Sequence, residues 1–113
     1  MSRLYKIISR ADWAAAREAG TFDGSAVDRR DGFIHFSTAA QAQETARRHF
    51  AGQTDLVVLE VEADDLGEAL RWEPSRGGEL FPHLYGSLSA SLVRHVGDAP
   101  LDALGTPAVG TLT

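Results

Sequence analysis

The chain has no cysteine among its 113 residues. That excludes disulfides, thiolate nucleophiles, iron–sulfur clusters and Cys-type zinc sites, and it suits a reducing cytoplasm, where we expect the protein to reside. Long apolar runs are also missing. The longest purely aliphatic stretch, Leu56-Val57-Val58-Leu59, is far too short to span a bilayer. The start, Met1 to Ser9, lacks the apolar segment of a secretory signal. Cationic excess is absent, because 11 basic residues face 16 acidic ones and leave a net charge of -5. Such a balance opposes general attraction to nucleic acid or to an anionic membrane, although it leaves room for a local basic patch. No P-loop, Rossmann glycine fingerprint or Gly-x-Ser-x-Gly elbow occurs, which argues against kinase, dehydrogenase and serine-hydrolase chemistry.

What is present is ordinary for one globular domain: 43% hydrophobic and 24% charged residues. Residues 4–8 read as a first strand. Ser9 and Asp12 resemble a capping box that opens a helix over 13–19, with a stop at Gly20. Residues 21–32 read as loop and 33–36 as a second strand. Thr38 and Gln41 form another capping pattern for a helix over 39–50, with Ala39, Ala42, Ala46 and Phe50 toward the core and Arg47 and Arg48 toward water. Residues 55–62 read as a third strand, whose Leu56-Val57-Val58-Leu59 segment is apolar on both faces and predicts a central place. Shorter strands are expected at 70–73, 83–85 and 92–96, with Phe81-Pro82 marking a stiff entry at a sheet edge. A compact core is expected over about 3–97, followed by a C-terminal tail, 98–113, that frays at its end. This order predicts an α+β fold with two N-terminal helices packed on a mostly antiparallel sheet.

Two segments concentrate the chemistry, Gly32-Phe33-Ile34-His35-Phe36-Ser37-Thr38 and Phe81-Pro82-His83-Leu84-Tyr85-Gly86. Alternation along a strand puts His35 and Ser37 on one face and Ile34 and Phe36 on the other; His83 and Tyr85 likewise share a face. Two such strands form walls of a polar cleft. His35 suits acid–base work or a grip on a ribose hydroxyl, and its plainer explanation is a half-buried ring satisfied by a carbonyl. Ser37 and Thr38 stand at a helix N-terminus, where hydroxyls and amides attract a substrate or phosphate; capping alone accounts for Thr38. Tyr85 offers a flat face for stacking, against the plainer reading of a rim tyrosine. Glu73 and Glu79 are the candidate carboxylates. Glu73 pairs with Arg71 on the plain reading, while Arg76 in the Gly77-Gly78 loop can reach an anionic ligand. His35, His83 and a glutamate could ligate zinc in principle, yet their spacing matches no ligand pattern and no metal is expected.

These stretches resemble a bacterial family catalogued as domain of unknown function 952. The resemblance rests on Tyr5-Lys6-Ile7, Trp13 with Gly20, residues 31–38, residues 43–50, Trp72-Glu73-Pro74 and residues 78–86. It implies a fold like that of ADP-ribosyltransferases, a split sheet around an NAD cleft. In that larger class a histidine on an early strand holds a ribose of NAD, a tyrosine stacks on nicotinamide, and a late strand carries a catalytic glutamate. His35 matches the first role, with Ser37 or Thr38 beside it, and Tyr85 the second. The third has no counterpart, since only Asp98 and Asp102 are acidic after Tyr85. Glu73 or Glu79 would then have to serve, with His83 as a polar partner in the cleft. The function implied is an enzyme acting on NAD or an ADP-ribose derivative. The alternatives are a non-catalytic module binding a nucleotide or protein partner, and a two-histidine phosphoesterase. His35-Phe36-Ser37 fits the His-x-Ser element of the latter, but His83-Leu84-Tyr85 breaks the second copy.

Overall fold

The computed structural model describes residues 2–112, with the side chain of Arg76 outside the description. β1 (Arg3–Ser9) runs into α1 (Arg10–Ala19), whose first turn is capped by the Ser9 hydroxyl accepting the Asp12 N–H at 3.0 Å. Then come β2 (Thr21–Phe22), α2 (Ala26–Asp31), β3 (Ile34–His35) and α3 (Ala39–His49). β4 (Leu56–Glu62), β5 (Leu70–Pro74), β6 (Leu80–Leu84), β7 (Leu88–Ser89) and β8 (His95–Asp98) complete the order. Every strand pairing is antiparallel, so the α+β class holds.

β4 lies between β1 and β8, as its two apolar faces predict. Val57, Leu59 and Val61 enter one core with Leu4, Ile8, Ile34, Phe36 and Leu84. Leu56 and Val58 enter a second with Tyr5, Ile7 and the alanines Ala42 and Ala46 of α3. A second three-stranded sheet has the order β3-β6-β5, and β2 pairs with β7. The two larger sheets meet at β3. Ile34 and His35 pair with Leu84 and His83, and then the Phe36 N–H donates to the Pro82 carbonyl at 3.0 Å. One residue later Ser37 exchanges two 2.8 Å backbone bonds with Tyr5 of β1. Pro82 has no N–H to return to Phe36, so the ladder stops there and the chain turns to the other sheet.

That geometry corrects the expectation for Phe81-Pro82. β6 is the middle strand of its sheet, not an edge, and the proline sits where pairing on one side ends. Residues 21–32, read as loop, contain β2 and α2. Ser25 and Asp28 form a capping box there: the Asp28 N–H donates to Ser25 Oγ at 3.4 Å and the Ser25 N–H to Asp28 Oδ2 at 2.9 Å. The last strand begins at His95, because Ala90–Leu92 form a 3-10 turn. Within the described residues much of the tail packs against the rest of the domain. Ala99, Pro107 and Val109 are buried, and the Gln43 side chain of α3 binds the Pro107 carbonyl at 2.9 Å and the Val109 N–H at 3.1 Å. Thr113 lies outside the described residues. No helix among the described residues is long and apolar enough to cross a membrane.

Candidate functional site

Strand alternation puts Phe33 and His35, then Phe81, His83 and Tyr85, then Arg71 and Glu73, on one face of the β3-β6-β5 sheet. Ile34, Phe36 and Leu84 take the opposite face and are buried in the core. His35 and His83 are register partners, and their rings meet edge-on with centroids 5.5 Å apart. Phe33 stacks on His83 at 4.0 Å and leans on His35 at 4.6 Å and Tyr85 at 5.2 Å.

His35 is oriented by α2. Gly32 ends that helix at φ 87°, a left-handed conformation that glycine adopts without a Cβ penalty, and its N–H donates to the Asp28 carbonyl at 2.9 Å. The chain therefore doubles back so that His35 lies against Asp28. Asp28 Oδ1 accepts the ring Nδ1–H of His35 at 2.6 Å and its backbone N–H at 3.1 Å. Lys6, which alternation places between Leu4 and Ile8 on β1, reaches the same carboxylate at 2.9 and 3.0 Å. The Asp28 side chain is 1% exposed. Burial works against its charge, but the bonds from His35, the Lys6 ammonium and the Ser25 N–H outweigh that and hold its carboxyl far below the ordinary range. Burial draws the Lys6 amine below its usual value, opposed by the charge and hydrogen bond of Asp28. A second carboxylate meets the other nitrogen: His35 Nε2 lies 2.9 Å from Asp31 Oδ2. The hydrogen bond from Arg30 is the main cause that holds the Asp31 carboxyl below its ordinary value.

His83 has its own carboxylate. Its Nδ1–H donates to Glu73 Oε1 at 2.9 Å, and the Tyr85 hydroxyl donates to the same oxygen at 2.7 Å. Those bonds, His83 first, hold Glu73 below the usual carboxylate range, and the bond to Glu73 raises the Tyr85 phenol. The Arg71 guanidinium lies 5.0 Å over the Tyr85 ring, within cation–π range.

A cleft of about 730 Å³ opens where the sheets separate, walled by β1, α2, α3 and the histidine strands; His35, His83, Ser37, Lys6, Asp28 and Asp31 line it. His35, Ser37 and His83 thus come together as the sequence predicts, with the Ser37 hydroxyl 3.0 Å from that of Thr45 on α3. Tyr85 and Glu73 share the sheet face but stand outside the cleft lining, and Tyr85 is 39% exposed. Thr38 is occupied in a complete capping box with Gln41 at 3.0 and 3.3 Å. Glu79 accepts from Gln41 Nε2 at 2.6 Å, on α3 and not on either imidazole. The Arg76 side chain lies outside the description, although neighbouring Ser75 reaches the cleft wall. Asp98 pairs with Arg10, and Asp102 accepts the N–H groups of Leu104 and Thr106. Among the described residues, no group of three or more His, Cys, Asp or Glu is arranged to hold a metal ion.

Sequence reasoning missed Lys6, Asp28, Asp31 and Phe33. One signal was available: a lysine inside an apolar strand calls for a carboxylate partner, since an unpaired buried charge is costly. Nothing local says which aspartate supplies it.

The chain is a member of the family described as protein of unknown function (DUF952), whose model matches residues 7–96. It is similar to protein CC0527 from Caulobacter crescentus. The X-ray crystal structure of that protein is 57% identical, with 96% of each chain covered and a TM-score of 0.94. A crystal structure of a CC0527 double mutant is 55% identical over 96% of each chain, TM-score 0.93. Its solution NMR structure is 58% identical over 95% of this chain and 92% of that one, TM-score 0.85. No curated protein matches the chain.

Proposed function

We propose that the cleft binds a ribose-bearing nucleotide of the NAD or ADP-ribose class and that the protein acts on it as an enzyme, on a fold resembling that of ADP-ribosyltransferases. The observation that carries this reading is His35 on the wall of a cleft at the junction of two antiparallel sheets, with Nδ1 held by buried Asp28. An imidazole fixed at one nitrogen holds the other in a defined direction, and a hydroxyl reaches it by displacing Asp31 Oδ2. A volume of 730 Å³ suits a small-molecule ligand. Of the two glutamates, Glu73 is the better carboxylate, because it is bonded to His83 while Glu79 is engaged by Gln41. Cleavage at the ribose carbon develops positive charge that a nearby carboxylate stabilises. Tyr85 and Glu73 both stand outside the cleft lining, so stacking on nicotinamide and the carboxylate role are the weakest of the inherited roles.

Purified protein mixed with NAD, with nicotinamide release followed by chromatography, tests the reading. Release that His35→Ala reduces about a hundredfold or more supports it. Nucleotide binding without release assigns the non-catalytic module instead. Absence of both binding and release overturns the proposal.

One observation favours a second reading. Both cleft imidazoles carry a carboxylate at Nδ1, the arrangement of an acid–base pair acting on a phosphoester. Hydrolysis of a 2′,3′-cyclic nucleotide that His83→Ala abolishes would establish it.

A further inference from the structure

We infer that Asp31 is a specificity-determining residue which, together with His35 Nε2, reads a vicinal diol on the ligand. The inference deepens the nucleotide reading and rests on it for the identity of the diol as a ribose. The two carboxylates around His35 differ in kind. Asp28 is sealed, at 1% side-chain exposure, and saturated by Lys6, Ser25 and His35. Asp31 comes one turn later on the same side of α2, is 31% exposed and lines the cleft. Arg30 engages both of its oxygens, Nε on Oδ1 at 3.0 Å and Nη2 on Oδ2 at 3.4 Å, and Oδ2 also rests on His35 Nε2 at 2.9 Å. That outer bond occupies the nitrogen a ligand must reach.

A ligand group that enters here has to satisfy a carboxylate, which only accepts, and the ring nitrogen beside it. Adjacent hydroxyls of a ribose stand about one hydrogen-bond length apart, which matches the separation of Oδ2 and Nε2. One hydroxyl donates to Asp31 while its neighbour bonds to His35. Loss of one hydroxyl leaves the carboxylate or the imidazole without its exchange partner, which a site built on hydrogen bonds discriminates against strongly. The cleft therefore takes a free cis-diol in preference to a deoxy sugar.

The test uses the full chain with ring-labelled histidine, observed by NMR, and two pairs of probes. ADP-ribose is compared by calorimetry with its analogue lacking a terminal-ribose hydroxyl, and D-ribose is compared with 2-deoxy-D-ribose at His35. The expected result is a preference of about tenfold or more for ADP-ribose over its deoxy analogue, reduced to about twofold in Asp31→Ala. Asp31→Asn, which keeps an acceptor oxygen, retains part of the preference. D-ribose shifts the His35 ring signals and 2-deoxy-D-ribose does not. A preference as large in Asp31→Ala as in the wild type overturns the role of Asp31 and leaves the nucleotide reading standing. Ribose shifts without ADP-ribose binding keep the diol inference and overturn the nucleotide reading. No response to any probe overturns both.

Discussion

Asp28 and His35 are joined twice, because one carboxylate oxygen accepts both the ring Nδ1–H at 2.6 Å and the backbone N–H at 3.1 Å. The double contact ties side-chain orientation to the path of β3, so the imidazole cannot turn without moving its own strand. Since Lys6 from β1 closes on the same carboxylate, three elements separate in sequence share one buried charge.

Removal of that charge is expected to be costly. Asp28→Asn strands the Lys6 ammonium and should lose about 3–5 kcal/mol in urea unfolding. Pairing it with Lys6→Met should recover part of the loss. An Asp28→Asn protein within experimental error of the wild type would show that the buried pair does not contribute.

Acid should narrow the gap between those two proteins. The folded pKa of Asp28 is depressed below the ordinary aspartate value of 3.8, so its contribution is present above that value and lost as pH falls through the folded one. Wild-type stability should drop toward that of Asp28→Asn below pH 3.8, measured by denaturant midpoints across the acid range. Parallel curves for the two proteins would contradict the assignment.

Glu73 makes a spectroscopic prediction. Its bond to the Tyr85 hydroxyl stabilises the neutral phenol and raises its pKa, so deprotonation requires higher pH in the folded state than in the unfolded. In Glu73→Gln the Tyr85 phenolate absorbance should appear at lower pH than in the wild type. The stability linked to the raised value is lost as pH climbs through it, and that alkaline loss should shrink in the variant.

Thr38 separates capping from ligand binding. Thr38→Ala should cost about 1 kcal/mol, through the N–H of Gln41 left without its acceptor, and Thr38→Ser should restore most of it. Thermal unfolding measures both. A neutral Thr38→Ala would leave the hydroxyl free for another role.

The tail offers a local readout. Gln43→Ala removes the acceptor of the Val109 N–H, whose amide exchange should accelerate by more than that of the β4 core amides. Equal protection in both proteins would mean that the tail is held by burial of Pro107 and Val109 alone.

The elements legible in the sequence are those whose causes are local. Alternation and apolar runs identify β1 and β4, the Thr38-Gln41 box starts α3, and the shared parity of His35, His83 and Tyr85 sets them on one sheet face. α2 was obscured because a six-residue helix shows little periodicity, although its Ser25-Asp28 capping box was there to be read. Burial of the tail was equally hidden, since Pro107 and Val109 acquire meaning only against Gln43 of α3.

By itself, then, the chain determined its class, its strand faces and which imidazoles could stand together, because pleat and helix periods follow from the order of residues. Tertiary structure alone decided which carboxylate each imidazole would meet. Lys6, Asp28 and His35 are joined by the turn at Gly32 and by the departure of β3 from β6 at Pro82, and the pairing of a buried charge is a property of three-dimensional neighbours that no local pattern encodes.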